Sequence, residues 1–479
     1  MPRISRVFRA LAREGLLVSY DGHGVYTVSP VGDGHSVPAE VLLPESLPLE
    51  SKALKQLVNL SSAAHPDGGR VCRACATPDF HPGDAGIAIG SVIETRDILI
   101  PQAVGTDINC GMRLHVTDLS LSTFMSRKSE LVAKLKGDYL LGTRDIAMSS
   151  RAMREMFDRG VPEWLMACRD SPLGRLAGSD LDQLWDEQDH IYLNGSMHGS
   201  SEWAPEKLLD SDVVRDDGLA TIGRGNHFVE MQVVEEVLDP KLAYQWGVRE
   251  GQVSFMVHSG SRSVGLHIGG RWKDKVREAW PEGVRYPESH IFPISWASNP
   301  KLCEEYLIAE ATAANYGFVN RLLLAELLRL RLREVYGPSV AAPLVYDIPH
   351  NITLKEDGKY MTRKGACPAH DGMPVIIPGS MGAHSYLCVG LGNDRFLDSA
   401  SHGAGRATSR GGMGRFVKND AHLEALGLKG VECVTLREER RIEEAPAAYK
   451  DIGPVIESQV AAGTIRVVAR LSPILTFKA

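Results

Sequence analysis

The chain has 479 residues, an apolar fraction of 43%, a charged fraction of 24% and a formal net charge of −7. This is the composition of a globular protein with two or three ordinary domains or one large elaborated one, and it excludes broad electrostatic capture of nucleic acid, so that a phosphate-rich partner must be held by a local basic cleft. No stretch approaches the roughly 18 apolar residues of a membrane span, the N-terminus lacks an apolar signal core, and eight scattered cysteines fit a reducing compartment, so a cytoplasmic location is expected.

Residues 1–45 read as a separate small element. An amphipathic stretch around Val7 to Leu16 is followed by strand-like runs around Gly22 and Gly24, which fits either a winged-helix-like or hairpin appendage or a packing arm on the main domain. The pair Cys72-x-x-Cys75 lacks a partner pair and reads as ordinary thiols. From about residue 70 the texture becomes α+β, with short strand-like runs at 86–92, 98–100, 253–257 and 375–377 broken by Gly, Pro, Asp and Asn. One long helix is predicted over 304–336, closed by Gly337-Pro338, with Asn315, Asn320 and Arg321 on a polar face that is either solvated or lines a cleft. The charged run 437–444 reads as a solvated surface.

Four segments carry candidate metal ligands. In Gly105-Thr106-Asp107-Ile108-Asn109-Cys110-Gly111 a carboxylate and a thiol sit three apart between glycines, so a sharp turn points both inward. His227 follows the glycine turn Gly223-Arg224-Gly225-Asn226, His258 ends an apolar run, and His350 follows the strand-like 344–346. Singly, each histidine reads most simply as a hydrogen-bonded loop or core residue. Together they share one syntax, a histidine at a strand or turn terminus beside Asn, Ser or Gly, where rigid scaffolds place sites. One Asp, one Cys and three His suffice for two adjacent divalent metals if the thiolate bridges them, and the mixed donor softness admits Zn, Fe or Mn. Asn226, Glu230 and Asn351 stand beside the ligands, to orient them or to touch a nucleotide.

Two glycine-rich turns follow. Pro378-Gly379-Ser380-Met381-Gly382-Ala383-His384-Ser385 comes after an apolar run and offers backbone N–H groups and hydroxyls to phosphate, or is a plain tight turn. Ser401-His402-Gly403-Ala404-Gly405-Arg406, with Arg410 beyond it, suits a phosphorylated or nucleotidylated imidazole whose oxygens the guanidiniums neutralise. On its own a His-Gly turn is most simply a loop with a satisfied histidine.

The ordered set resembles the RtcB family of RNA-splicing ligases over roughly residues 50–479. It comprises Pro78-Asp79-Phe80-His81-Pro82-Gly83, the Asp107–Cys110 turn, Gly225-Asn226-His227-Phe228, His258-Ser259-Gly260-Ser261-Arg262, His350-Asn351, Arg363-Lys364-Gly365-Ala366, Pro378-Gly379-Ser380-Met381-Gly382 and Ser401-His402-Gly403-Ala404-Gly405-Arg406. The resemblance implies a single large mixed α/β catalytic domain over 46–479, β-rich around a dinuclear metal site, beside the appendage 1–45. It implies two Mn²⁺ bridged by Cys110, one also held by Asp107 and His227 and the other by His258 and His350. His402 is then the nucleophile that takes GMP from GTP. Asn226, Glu230, Asn351, Pro378, Gly379, Ser380, Met381, Ser385, Gly403, Ala404, Gly405, Arg406, Tyr449 and Lys478 match guanylate-binding positions, and Arg262 and Arg410 match grips on RNA phosphates. The implied partners are GTP, RNA with 3′-phosphate or 2′,3′-cyclic phosphate and 5′-hydroxyl ends, and an archease-type activator; nothing demands more than a monomer. Phe80, His384, the context of Gly86-Ile87-Ala88-Ile89-Gly90 and the ending Lys478-Ala479 depart from the family pattern, without removing a ligand or the nucleophile. Two other classes compete: a metal-dependent phosphotransferase or nuclease on the same scaffold, and a non-catalytic RNA-end-binding paralogue.

Overall fold

The computed structural model describes residues 2–32, 36–413, 420–428 and 430–479, except the side chains of 2–6, 410, 411 and 420–422. The run 253–257 lies in a strand, Gln252–Ser259, that is buried at every position and so needs cover on both faces. It sits inside an eight-stranded sheet, flanked by Gly111–Ser120 and Phe228–Val237. Beyond Gly111–Ser120 lies the edge strand Leu344–Pro349; on the other side follow Ile465–Phe477, Ser385–Gly390 and Pro374–Ile377, and the short Cys433–Val434 pairs in parallel with the end of Ile465–Phe477.

Side-chain alternation sets the layers. Val253, Phe255 and Val257 join a core made with the helices, whereas Met256 joins Met112 and Leu114 in a second core facing another sheet. That second sheet has seven strands: Leu16–Tyr20, Val25–Pro30, Ala39–Leu42, Arg70–His81, Ile89–Arg96, Lys359–Lys364 and Asn351–Glu356. The N-terminal helix Pro2–Arg13 leads into its first three strands, and Val28, Ala39 and Val41 are buried in the core between the sheets.

The long helix runs over Pro300–Tyr336. It starts four residues ahead of the expected Glu304, because Asn299 caps Leu302 N at 3.1 Å and Pro300 needs no amide partner. Its central residues from Ala309 to Arg329 are buried all round. The expected polar face is therefore neither solvated nor a cleft lining. Asn315 donates to Phe157 O and Met197 O at 3.0 and 2.8 Å, Asn320 to Ser259 Oγ and Gly260 O at 3.0 Å, and Arg321 pairs with Asp347 at 2.7 Å. Buried polar groups must be satisfied, and here they fasten loops to the helix. Among the described residues no helix is long and apolar enough to cross a membrane.

Candidate active site

Strand register gathers the candidate ligands at one end of the eight-stranded sheet. Phe228 pairs with His258, His258 with Met112, and Gly111 with both Ser259 and Pro349. Cys110, His227 and His350 each stand one residue outside a strand in this register, so all three fall beside His258. His350 is also the link between the two sheets, with Leu344–Pro349 before it and Asn351–Glu356 after it. The result is two ligand groups sharing one thiol: Asp107, Cys110 and His227, and Cys110, His258 and His350. Cys110 Sγ lies 3.1 Å from His227 Nε2 and 3.2 Å from His258 Nε2, and His227 Nε2 lies 3.1 Å from Asp107 Oδ2.

The donor set fits divalent metal. His258 gives its Nδ1 proton to Asn226 O at 3.1 Å, which leaves a lone pair on Nε2, only 3.3 Å from His350 Nε2. Burial holds the imidazoles of His258 and His350 well below their usual range, so both are neutral. Burial, with Asp107 next, pushes the Cys110 thiol well up, so a thiolate here calls for a cation. Desolvation works to raise the Asp107 carboxyl, but the imidazole of His227 and then the ammonium of Lys364 hold it below the ordinary carboxylate range. Gly260 is needed beside this cluster, because a Cβ there would meet Asp107 Oδ1 at 2.6 Å and Cys110 Cα at 3.0 Å.

His402 follows the short strand Ser399–Ser401, and its ring centroid is 4.7 Å from that of His350. Its Nδ1 donates to Asp79 Oδ2 at 2.6 Å, and its backbone N–H reaches the same oxygen at 3.2 Å. Asp79 is fully buried and also accepts from Thr77 Oγ1 at 2.6 Å. Burial works to raise its carboxyl, but the interaction with the His402 ring outweighs that and holds it low. With the proton fixed on Nδ1, Nε2 carries the lone pair of a nucleophile. Gly405 lets the turn close over this support: at φ +74° its Cβ would lie 2.1 Å from Asp79 O.

A cavity of about 550 Å³ joins His402 to the metal-ligand cluster. Its walls include Asp107, Cys110, His258 and His350, and, of the expected guanylate residues, Asn226, Glu230, Asn351, Pro378, Gly379, Ser380, Met381, Gly403, Ala404, Gly405, Arg406, Tyr449 and Lys478. His227 and Ser385 stand behind the walls. Ser385 Oγ accepts from Gly379 N at 3.2 Å and from Gln232 Nε2 at 3.0 Å, and so shapes the glycine loop. Glu230 is buried, bonded to Gln232 at 2.8 Å and Thr476 at 2.5 Å, and burial pushes its carboxyl up to about 7. Lys478 Nζ donates to Gly225 O at 2.8 Å.

Two expectations change. Arg406 is not an open phosphate grip: it donates to Glu444 at 3.0 Å, Glu443 O at 2.9 Å and Thr408 O at 3.0 Å, and stacks over Tyr449. The run 437–444 is accordingly not all solvated surface, because Glu444 is buried against this guanidinium and the Tyr449 hydroxyl. Arg262 is not on the cavity wall, and the Arg410 side chain lies outside the described residues.

A family model described as "tRNA-splicing ligase RtcB" matches residues 56–479. The chain belongs to the RtcB family. The tRNA-splicing ligase RtcB of Aeropyrum pernix is 32% identical over 479 aligned positions, covering 91% of this chain and 94% of that protein. That of Archaeoglobus fulgidus is 31% identical, covering 92% and 94% respectively, and the RNA-splicing ligase RtcB of Mycobacterium tuberculosis is 32% identical, covering 88% and 99%.

Within this RtcB chain two of the departures, Phe80 and His384, sit off the cavity, whereas Ile89 of the Gly86–Gly90 run and Lys478 at the ending line it. Phe80 is buried in the core between the sheets, and the half-exposed His384 turns to Glu235 at 2.8 Å. Three residues inside the quoted motifs or near them carry roles that the motifs do not declare. Asp79 holds His402. Lys364 donates to Val104 O at 2.6 Å over Gly105, close to Asp107. Lys450, pulled down to about 8 by burial, donates to the carbonyls of Pro78 and Phe80 on either side of Asp79. The one local signal was an aspartate inside a predominantly buried strand, Arg70–His81, where carboxylates are disfavoured.

Proposed function

We propose that the chain is an RNA ligase that joins 3′-phosphate or 2′,3′-cyclic phosphate RNA ends to 5′-hydroxyl ends through a guanylylated His402, in tRNA splicing or RNA repair. Membership of the RtcB family and relatives named tRNA-splicing ligases support the class of reaction. The observation that carries the chemistry is the His402–Asp79 pair opening on the same cavity as the metal-ligand cluster.

Asp107, Cys110 and His227 would hold one Mn²⁺ and Cys110, His258 and His350 the other, and bound there the ions neutralise phosphate charge. GTP is the guanylate donor: Pro378, Gly379, Ser380 and Met381 wall the nucleotide, while Glu230 and Lys478 face the base and Asn226, Asn351 and Tyr449 hold the nucleoside. Asp79 keeps the Nδ1 proton of His402, so the Nε2 lone pair attacks the α-phosphorus of GTP and pyrophosphate leaves. A cyclic phosphate is first hydrolysed to a 3′-phosphate, an oxygen of which then takes GMP from the imidazole. The 5′-hydroxyl of the second strand attacks that activated phosphorus, its proton is lost, and GMP departs. Positioning and charge neutralisation supply most of the rate in such transfers.

The test is incubation with GTP labelled on the α-phosphate, with and without Mn²⁺, comparing wild type with His402→Ala on a denaturing gel. Acid-labile, Mn²⁺-dependent label that the variant lacks is the expected result. Wild type that takes up no label with any divalent ion, alone or with an archease-type activator, overturns the ligase reading and favours metal-dependent hydrolysis.

A further inference from the structure

Lys450 is a buried cation that belongs neither to the metal-ligand cluster nor to the cavity wall. It lies in a segment laid along the His402 loop: its backbone N–H donates to Gly405 O at 2.9 Å, and Ala448 O accepts from Ala407 N and Thr408 N at 2.8 and 3.1 Å. From that anchor the side chain reaches the strand Arg70–His81, where Nζ donates to Pro78 O at 3.4 Å and to Phe80 O. One residue thereby ties the loop that carries His402 to the strand that carries Asp79, and its charge stops on the carbonyls at either side of that aspartate.

Asp79 needs a counter-charge. It is wholly buried, and its donors, Thr77 Oγ1, the His402 ring and the His402 backbone N–H, bring none while the imidazole is neutral, as a nucleophile must be. A buried carboxylate without a cation takes up a proton. A protonated Asp79 would donate to His402 Nδ1 instead of accepting from it, and the ring proton would then sit on Nε2, where the lone pair is needed. The groups facing Lys450 leave the ammonium as the source of that charge. His81, on the same strand, is held at about 4 by burial and is neutral. Glu50, beside Lys52 at the start of the helix Ser51–Ser61, is the other acid; it lies on the cavity wall, and burial raises its carboxyl against the charges of Lys450 and Lys52. Burial brings the Lys450 ammonium down from 10.5 to about 8, with Asp79 and then Glu50 pulling the other way, so it is charged at neutral pH. Building on the ligase reading, we infer that Lys450 is a positioning residue for guanylylation: its ammonium keeps Asp79 ionised, and Asp79 in turn keeps the His402 proton on Nδ1.

Wild type, Lys450→Arg and Lys450→Met, each loaded with Mn²⁺, are compared for single-turnover label uptake from saturating α-phosphate-labelled GTP between about pH 6.5 and 9. The methionine variant should be slower by about ten-fold or more near neutral pH and should close the gap by about ten-fold per pH unit, because rising pH re-ionises Asp79 without the help of a cation. Arginine keeps the charge, so Lys450→Arg should hold the wild-type profile, and GTP affinity should stay the same in all three. The tautomer is read without turnover on protein carrying ¹⁵N-histidine, with Zn²⁺ in place of the paramagnetic Mn²⁺ and the His402 signals assigned by their loss in His402→Ala. Wild type should carry the proton on Nδ1, and Lys450→Met at neutral pH should move it to Nε2. A Lys450→Met profile parallel to wild type overturns the inference, as does an identical tautomer in both; a parallel loss with a lowered melting temperature makes Lys450 a strut between loop and strand. Wild type that takes up no label at any pH defeats the ligase reading, and the tautomer comparison then still decides whether Lys450 sets the state of His402.

Discussion

At the scale of single residues, the decisive contact is between His402 and Asp79. The buried carboxylate fixes the tautomer of the imidazole and orients the ring through two bonds to one oxygen. Asp79→Asn keeps the shape but offers an amide that competes for the wrong proton arrangement. We expect guanylylation from labelled GTP to fall by about 10²–10⁴-fold, the usual worth of a positioned proton-handling group, while Mn²⁺ affinity by calorimetry stays within a few-fold. Equal losses of label and metal affinity would instead make Asp79 a support for the whole loop. The sequence displays Asp79 inside a quoted motif, yet its partner lies 323 residues away, and no local pattern encodes that pairing.

At the scale of elements, the long helix Pro300–Tyr336 anchors the site from behind. Arg321 on this helix pairs with Asp347 at 2.7 Å and donates to Asn109 O at 2.6 Å and Ser259 O at 3.1 Å. It thereby ties down the segments that carry Cys110, His258 and His350. Arg321→Ala leaves Asp347 buried with a weaker partner, Arg113 at 3.3 Å, and should cost about 3–5 kcal/mol in denaturant unfolding. A loss under 1 kcal/mol would mean that Arg113 takes over the charge. Glu310, on the same helix, is buried beside Tyr306 and accepts from Thr353 N at 2.5 Å. Burial raises its carboxyl from the ordinary 4.5 to about 7, so the folded state binds the extra proton. Stability from this group is therefore full at low pH and falls as pH rises through the interval from 4.5 to about 7, by at most about 3 kcal/mol. Unfolding of Glu310→Gln followed from pH 5 to 8 should show a flatter profile than wild type; an unchanged slope would place the titration elsewhere.

At the scale of the whole molecule, two sheets pack on each other and the larger one is backed by helices, and the site lies where the chain passes from one sheet to the other at His350. A cation bound there would join both layers. Mn²⁺ at a hundred times its dissociation constant should stabilise the fold by about 2.7 kcal/mol and raise the melting temperature relative to the chelated protein. Cys110→Ala, which takes away the donor common to both ligand groups, should abolish most of that rise. A rise of full size in this variant would show that the thiol is not a ligand.

Much of this protein was legible before folding was considered. Apolar runs marked the buried strands, Gly337-Pro338 closed the long helix, and glycine turns marked the places where ligands and backbone approach. These features are local, set by side-chain periodicity and backbone sterics, so a single stretch of sequence determines them. Only the tertiary structure decided which partners meet. Register between non-consecutive strands brought Cys110, His227, His258 and His350 together; the buried Glu444 drew Arg406 away from the open role its motif suggested; and the surrounding core turned Asn315, Asn320 and Arg321 from a polar helix face into internal ties. Each of these outcomes depends on burial and on charge pairing between segments far apart in the chain, and those energies exist only once the layers have packed.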